Sequence, residues 1–333
     1  FVVRLFIPEG RIAFEDRVRG HVEIAGSELE DLVLLRSDGS PTYQLTVVVD
    51  DHDMAVTDVI RGEDHLTNTF KQIVIYQAMQ WPTPMFAHIP LILGPDRKRL
   101  SKRHGATAVD EYRSMGFLPE ALVNFIALLG WNPGDDRELF ALADLIQAFS
   151  LDRVSPSGGV FDIRKAEWFN SQYIAALPVN DLADRLADRF PELASAVSGN
   201  DPWKALVKLL QPRLRFLGDF PDQAEPFLEA PFRYDEKGVQ KHFRHRESPE
   251  ILEELIRLLQ SVMPFNEIEL EQALRQRAEE REWKAAALIH PLRLALTGRT
   301  SSPGIFETAV WLGRDECVRR VEQASRFVEG DSG

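Results

Sequence analysis

Cysteine is almost absent from this sequence, since Cys317 is the single one in 333 residues. One thiol cannot form an internal disulfide, and it excludes a zinc site built from several cysteines. No apolar run approaches the roughly 20 residues that span a bilayer, and the first residues show no signal-peptide pattern. We therefore expect a cytoplasmic protein with no zinc ion and no contact with a membrane.

Positive charge is also scarce. The sequence has 39 Lys and Arg against 52 Asp and Glu, which gives a net charge of −13. This charge argues against a generic nucleic-acid binder, because such proteins depend on a strongly basic surface. A local basic groove on an acidic body stays compatible with it, because the local field decides binding. The length predicts a globular protein of more than one domain.

The first third of the sequence has the pattern of an α/β protein. Short apolar segments between turn residues predict strands, and apolar spacing predicts a helix from Thr67 to Trp81. The run Tyr43–Val49 is predicted to be a buried strand, the second arm of a hairpin that turns at Ser37–Ser40. The predicted strands cover residues 1–7, 21–25, 32–35, 43–49, 58–60 and 88–93.

From Val109 onward the sequence predicts only helices, with a boundary at Pro178. Apolar residues recur at helical spacing there and no alternating strand pattern appears, which indicates an all-α region. The predicted helices cover residues 109–114, 119–129, 139–149, 164–176, 182–190, 203–216, 251–263, 268–281, 283–295 and 315–327.

A basic loop follows the last predicted strand. After Gly94-Pro95 it contains Arg97, Lys98, Arg99, Lys102 and Arg103, with Leu100 and Ser101 between them. Basic side chains beside serine and glycine suit a loop that closes on phosphates. A solvated basic turn explains the cations equally well, so the loop alone leaves both interpretations open.

Polar residues also follow the other predicted strands. Arg61 is either a surface ion-pair partner or, with the phenol of Tyr43, a fork for a substrate carboxylate. The run Asp50–His52 either caps its segment or holds a magnesium ion or an ammonium group. His65 either contacts a phosphate or base, or forms a local hydrogen bond.

The run 237–246 is the one dense basic stretch in the helical half. It is either a solvated linker or a contact with an RNA backbone, in which Phe243 and two histidines would stack on bases. Basic residues elsewhere would extend such a surface, namely Arg164, Lys165, Arg213 and Arg215.

Taken together, these segments resemble the bacterial-type glutamyl-tRNA synthetases, which are class I aminoacyl-tRNA synthetases. The resemblance runs nearly from end to end, and many motifs occur in the family's order. They are Tyr43 with residues 47–51, then 59–65, 90–94, 100–105, 116–122, 128–131, 160–162, 169–170, 291–298 and 303–306.

The resemblance implies a multidomain fold and a glutamate–tRNA ligase. Residues 1–56 would end an acceptor-binding insert and return to a Rossmann-like sheet, and residues 57–178 would complete the catalytic domain with its stem-contact region. Residues 179–333 would form an α-helical anticodon-binding part. Such a ligase activates L-glutamate with ATP and Mg²⁺ and transfers it to the 3′ end of tRNA(Glu), and we expect it to act as a monomer.

The resemblance also implies roles for single residues. The loop residues 99–103 match the family's second ATP signature, with Arg99 where lysine is usual. Lys102 would stabilise the charge that builds on the phosphates as pyrophosphate leaves, beside Arg99 and Ser101. Tyr43 and Arg61 would bind glutamate. ATP would also contact Leu100, Arg103, Ile92 and His65, and tRNA would contact Arg164, Lys165, Lys237, Lys241, Arg244 and Arg246.

One part of the family pattern is missing from the sequence. The first ATP signature, of the His-x-Gly-His type, and the opening strands are absent, so we expect an N-terminally truncated chain. Losing half of the preorganised charge stabilisation predicts weak or no adenylate formation by the chain alone. The alternatives are a catalytically incomplete tRNA-binding protein derived from a synthetase, and another ATP-using nucleotidyltransferase, which leaves the helical half unexplained.

Overall fold

A computed structural model describes residues 1–101, 103, 108–197, 199–228 and 233–330. The chain divides into two compact units. Unit 1 comprises residues 1–113 and 119–169, and unit 2 comprises residues 114–118 and 170–333. Each unit has its own hydrophobic core.

Unit 1 is built on short strands and a mixed sheet. Four strands form one sheet in the order β3-β2-β6-β5, and β1 pairs with β4 in a separate two-stranded sheet. β6 runs parallel to both of its neighbours, whereas β2 and β3 are antiparallel. The strands are β1 Val3–Leu5, β2 Arg11–Asp16, β3 Gly20–Ala25, β4 Leu32–Leu35, β5 Asp58–Gly62 and β6 Met85–Ile89.

The prediction of a strand at Tyr43–Val49 is wrong. These residues begin helix α1, Tyr43–Asp53, which follows an extended N-cap at Thr42. The turn at Ser37–Ser40 is present, but it leads from β4 into this helix and not into a second hairpin arm. Val48 is fully buried in the core of unit 1. Burial of one face against the sheet therefore outweighs the strand preference of the three consecutive valines.

Helix α2, Leu66–Ala78, crosses from β5 to β6 and makes their parallel pairing possible. Its inward side chains include Phe70 and Ile73, which pack with Ile12, Val48 and Phe86. The helix and β5 follow the sequence prediction closely, whereas β2 was not predicted. β5 and β6 contribute Val59 and Phe86 to this core.

The rest of unit 1 is helical and supports the segment that follows β6. It contains α3 Val109–Met115, α4 Pro119–Gly130, α5 Leu142–Ala148 and the first part of α6 Ile163–Ala176. Leu93 donates its N–H to Gly159 at 3.0 Å and accepts from Phe161 at 2.8 Å. A Cβ on Gly159 would collide with the carbonyl oxygen of Leu129. Glycine is required here because two backbones touch.

Unit 2 is all-helical in the residues that the structure describes, as the sequence predicts. Its largest core includes Leu252, Leu255 and Leu288. Cys317 is fully buried, donates to the carbonyl of Ala309 at 3.3 Å, and has its pKa raised to about 12 by burial. The helices are α7 Val179–Arg189, α8 Pro191–Ala196, α9 Asn200–Leu210, α10 Phe220–Leu228, α11 Glu236–His242, α12 Ser248–Ser261, α13 Glu267–Glu280, α14 Ala285–Thr297, α15 Ile305–Leu312 and α16 Arg314–Gly330.

Candidate active site

Arg61, near the end of β5, is held by three polar groups of the sheet and of α2. Its Nε lies 3.3 Å from Nε2 of His88. Its Nη2 donates to Oγ1 of Thr69 at 2.5 Å and to Oε1 of Gln72 at 2.8 Å. A surface arginine paired with an acid would make none of these contacts. The guanidinium is therefore fixed in one orientation by buried groups.

Tyr43 and His65 lie beside this arginine. Burial is the main influence on Arg61 and lowers its pKa. The nearby Tyr43 phenol opposes this effect, because it favours the charged form of the guanidinium. The ring centroids of Tyr43 and His65 are 6.3 Å apart, and His65 Nδ1 is 3.2 Å from the Asn68 amide nitrogen. Tyr43 is 51% exposed, so it lines the open side of the site. The structure thus brings three predicted site residues together.

The run Asp50–His52 does not act as one group. It lies in the last turn of α1, where Asp50 is exposed and the His52 ring packs on Trp81 with centroids 3.9 Å apart. Asp51 faces the Arg61 side: burial raises its pKa, and the arginine partly opposes that rise. Within the described ranges, no three His, Cys, Asp or Glu side chains are grouped so that they could hold a metal ion.

The first part of the basic loop is a tight backbone turn. Leu93 and Arg99 form an antiparallel bridge, and Gly94 donates to the carbonyl of Lys98 at 2.7 Å. The Ile92 carbonyl, predicted to meet adenine, accepts from Leu100 at 2.8 Å. These backbone bonds fix the position of residues 94–100, which include Arg97, Lys98 and Arg99.

Two acids hold the basic side chains of the loop. Arg99 Nη1 pairs with Asp64 at 3.2 Å, and Arg103 Nη2 pairs with Asp96 at 3.1 Å. All four side chains are at least a third exposed, and Asp64, at 34%, is the least exposed of them. The Asp64 contact brings the loop next to the segment that carries Arg61. Lys102 lies outside the described residues, as do His104 and Gly105.

A buried acid–histidine pair underlies the site and was not predicted. Asp16 ends β2 and His88 lies in β6, and their side chains are fully buried, with Oδ2 and Nδ1 2.6 Å apart. The signal available in the sequence was one histidine inside the apolar strand 85–89. Polar residues in such a strand need a buried partner, and the partner is distant in sequence.

The residues predicted to contact tRNA lie in both units. In unit 1, Lys165 pairs with Glu138 at 2.6 Å, and Nε of Arg164 lies 3.6 Å from Asp162. In unit 2, a pocket of about 680 Å³ is lined by Lys237, Lys241, Arg244, Tyr234 and Phe327, among others. Arg246 lines a neighbouring cavity.

Two of the predicted stacking residues in unit 2 have partners inside the protein. Phe243 is 2% exposed and belongs to the core, so the prediction that it stacks on a base is wrong. The ring of His242 stacks on that of His290, with centroids 5.1 Å apart. Burial is the main cause that lowers the pKa of His242, so the neutral form is favoured. The side chains of Lys241, Arg244 and Arg246 are therefore exposed, whereas the ring of Phe243 is buried.

Comparison with protein families gives two matches that together cover most of the chain. Residues 1–168 match the catalytic domain of class I tRNA synthetases of the E and Q type. Residues 179–325 match an anticodon-binding domain. The predicted fold class is confirmed by these matches.

Individual relatives give the same result. The chain is 41% identical to glutamate–tRNA ligase 1 of Caldanaerobacter subterraneus subsp. tengcongensis, over 98% of this chain and 69% of that protein. It is 44% identical to the glutamate–tRNA ligase of Geotalea uraniireducens, over 98% of this chain and 70% of that protein. It thus spans about two thirds of the length of these relatives.

A solved structure has the same fold. A crystal structure of a glutamate tRNA ligase from Elizabethkingia meningosepticum, in complex with its amino acid, superposes with a TM-score of 0.89 at 30% identity. The match covers 98% of this chain and 68% of that one.

Proposed function

This chain belongs to the class I glutamate–tRNA ligases, and we propose that it serves the ATP-dependent activation of L-glutamate and its transfer to tRNA(Glu). The observation that carries the proposal is the oriented guanidinium of Arg61 beside the Tyr43 phenol. A fixed fork with a hydroxyl next to it suits a carboxylate substrate. The runs 1–56, 57–178 and 179–333 are proposed as insert end, catalytic remainder and anticodon-binding part.

Glutamate would bind with one carboxylate on Arg61. Nε and Nη2 are used by protein groups, so Nη1 would be left for the ligand, beside the Tyr43 hydroxyl that also contacts the guanidinium. Tyr43 would add a hydroxyl, and His65 lies on the same side. An arginine that is already held loses little side-chain entropy when the ligand binds.

ATP is the second substrate, and the basic loop is its proposed site. Its triphosphate would displace Asp64 from Arg99 and Asp96 from Arg103, because a triphosphate carries more charge than a carboxylate. Lys102 and Ser101 would join these contacts, with Leu100, Ile92 and His65 near the nucleotide. Mg²⁺ would arrive with the nucleotide and neutralise phosphate charge. The described acids form no separate cage for it.

The tRNA is the third substrate. Its proposed contacts in unit 2 are the exposed cations around the 680 Å³ pocket, and in unit 1 Arg164 and Lys165. We propose that the protein acts as a monomer in the cytoplasm. No described helix is long and apolar enough to cross a membrane.

Arg61→Gln tests the amino-acid site. We expect the affinity of the chain for L-glutamate, measured by calorimetry, to fall about tenfold to a hundredfold, because a charge-assisted hydrogen bond is lost. Arg4→Gln is the matched control, since Arg4 is exposed on β1 and its loss removes the same charge. Equal glutamate affinity in the Arg61→Gln variant, or equal binding of D-glutamate by the native chain, contradicts the proposal.

A further inference from the structure

Asp16 and His88 lie at the base of the Arg61 site, within unit 1. Asp16 Oδ1 accepts backbone N–H groups from Val18 and Arg19, each at 3.0 Å. Asp16 Oδ2 is 2.6 Å from Nδ1 of His88 and 3.1 Å from the His88 backbone nitrogen. The carboxylate is thus surrounded by donors and has a fixed orientation.

The neighbours of His88 determine which ring nitrogen carries the proton. A carboxylate held by donors is an acceptor, so Nδ1 must be the N–H that donates to Asp16. Arg61 Nε is a donor without lone pairs, so His88 Nε2 must accept from it. Both ends therefore require the same neutral tautomer. Thr69 Oγ1 lies 2.9 Å from the same Nε2 and accepts from Arg61 Nη2, so the hydroxyl belongs to the same cluster around the guanidinium.

We propose that Asp16 and His88 are positioning residues for substrate binding: Asp16 fixes the tautomer of His88, whose Nε2 then orients the Arg61 guanidinium. With Nε on His88 and Nη2 on Thr69 and Gln72, Nη1 is left for the substrate carboxylate, beside the Tyr43 hydroxyl that also contacts the guanidinium. This inference rests on the proposed role of Arg61 in binding glutamate. The orientation of Arg61 is measurable without any ligand.

The alternative is that the Asp16–His88 pair has only a structural role and connects β2 to β6. Asp16 already makes such ties through the backbone of His88 and of the turn after β2. Those bonds would be satisfied without an imidazole in the site. The ring adds a contact that reaches from β6 across to Arg61, its directly paired neighbour in β5.

Protonation of His88 would reverse its effect. An added proton on Nε2 would point an N–H at the Arg61 cation and remove the acceptor. Burial is the main cause that lowers the pKa of His88, Asp16 opposes it, and Arg61 and Arg19 add to the lowering. These are the charged groups that face the ring, and Phe14 and Phe86 flank it. Because the pKa of His88 lies below that of an ordinary histidine, glutamate affinity should be unchanged at neutral pH and should fall only when the pH is lowered through that depressed pKa.

Asp16→Asn is the decisive substitution. Because Oδ1 accepts two backbone N–H groups, the new amide nitrogen must replace Oδ2 and would donate to Nδ1 of His88. The ring then adopts the other tautomer and points Nε2–H at Arg61. We expect the Kd for L-glutamate to rise about tenfold to a hundredfold at every pH, with ATP affinity unchanged.

His88→Asn is the second variant, because asparagine can still donate to Asp16 but does not reach Arg61. The matched control is His21→Asn, which removes an exposed histidine that pairs with Glu15 in the β2–β3 hairpin. Nitrogen NMR of the native chain should show Nδ1–H on His88, and the Arg61 Nε–H should exchange faster in both test variants than in the control.

The outcomes separate the two proposals. An Nε2–H tautomer in the native chain, or unchanged Arg61 Nε–H exchange in folded His88→Asn, overturns the positioning role. If the tautomer and exchange results hold but the native chain binds no L-glutamate, the positioning of Arg61 stands and its proposed substrate is wrong. Increased Kd in both test variants, with native Kd in His21→Asn, supports both.

Discussion

Glu254 shows how a single buried charge is accommodated in unit 2. It is 2% exposed and accepts from Arg257 at 3.0 Å and from both Arg277 and Arg281. Burial would raise its pKa, but the hydrogen bonds from Arg277 and Arg281 outweigh this effect and lower the pKa below 4.5. The carboxylate is therefore stabilising only while it is ionised.

Glu254→Gln should lower the free energy of unfolding by about 2 kcal/mol at pH 7, less than for a fully buried pair because the arginines are partly exposed. The contribution is present above the unfolded pKa of about 4.5 and is lost as the pH falls through the lower folded pKa. Urea unfolding at pH 7 and pH 3 measures it. The control is Glu253→Gln, whose side chain is 63% exposed. A deficit that is as large at pH 3 as at pH 7 contradicts the ionic origin.

At the scale of residues, the sequence predicts which side chains lie at the candidate site better than it predicts which side chains contact them. Arg61, Tyr43 and His65 were predicted as site residues and lie together, because short motifs retain chemical identity. Two features were not predicted, namely the burial of Phe243 and the pairing of His88 with Asp16. Both depend on contacts between residues that are distant in the sequence. Asp16 and His88 are 72 positions apart, and no local pattern joins them.

The segment Gly158-Gly159 is the element that supports the start of the basic loop. In Gly159→Ala the new Cβ would clash with the carbonyl oxygen of Leu129. The segment would have to move, which would break the backbone hydrogen bonds of Leu93 with Gly159 and Phe161. We expect a loss of about 2 to 4 kcal/mol in unfolding free energy, as for other substitutions that force backbones apart, and weaker ATP binding. Thermal unfolding and nucleotide titration measure the two effects.

Gly130→Ala is the control for this prediction. Gly130 ends α4, and a Cβ there would meet only a Pro90 side-chain atom at 4.0 Å. It should be neutral or stabilise by up to about 1 kcal/mol, because alanine favours helix. If both alanine variants behave alike, close backbone approach is not the reason for Gly159.

Among elements, α2 and most helices of unit 2 were predictable because their apolar spacing is regular. Helix α1 was not, because the local preference of Val47 to Val49 favours a strand. What decides its conformation is the burial of Val48 against the sheet, a property of the assembled unit. The consequence for the site is that Tyr43 lies in the first turn of a helix.

The whole molecule carries a net charge of −13, so RNA must be attracted by local basic clusters. Lys241→Ala, at the unit 2 pocket, should weaken tRNA(Glu) binding and reduce the slope of log K against log salt by about 0.7 to 0.9. Binding measured from 50 to 200 mM salt gives the slope. Lys208→Ala removes the same charge from an exposed position of α9 and is the control. An unchanged slope in Lys241→Ala places the RNA elsewhere.

Cys317 has a practical consequence for such measurements. Its thiol is fully buried and donates a hydrogen bond to the carbonyl oxygen of Ala309. Burial raises the pKa of this thiol to about 12, so almost no thiolate exists at neutral pH. A cysteine introduced at an exposed position would therefore be the only thiol to react with a maleimide dye in the folded chain. A fluorophore can be attached beside the basic loop, or on α11, without first removing the native cysteine.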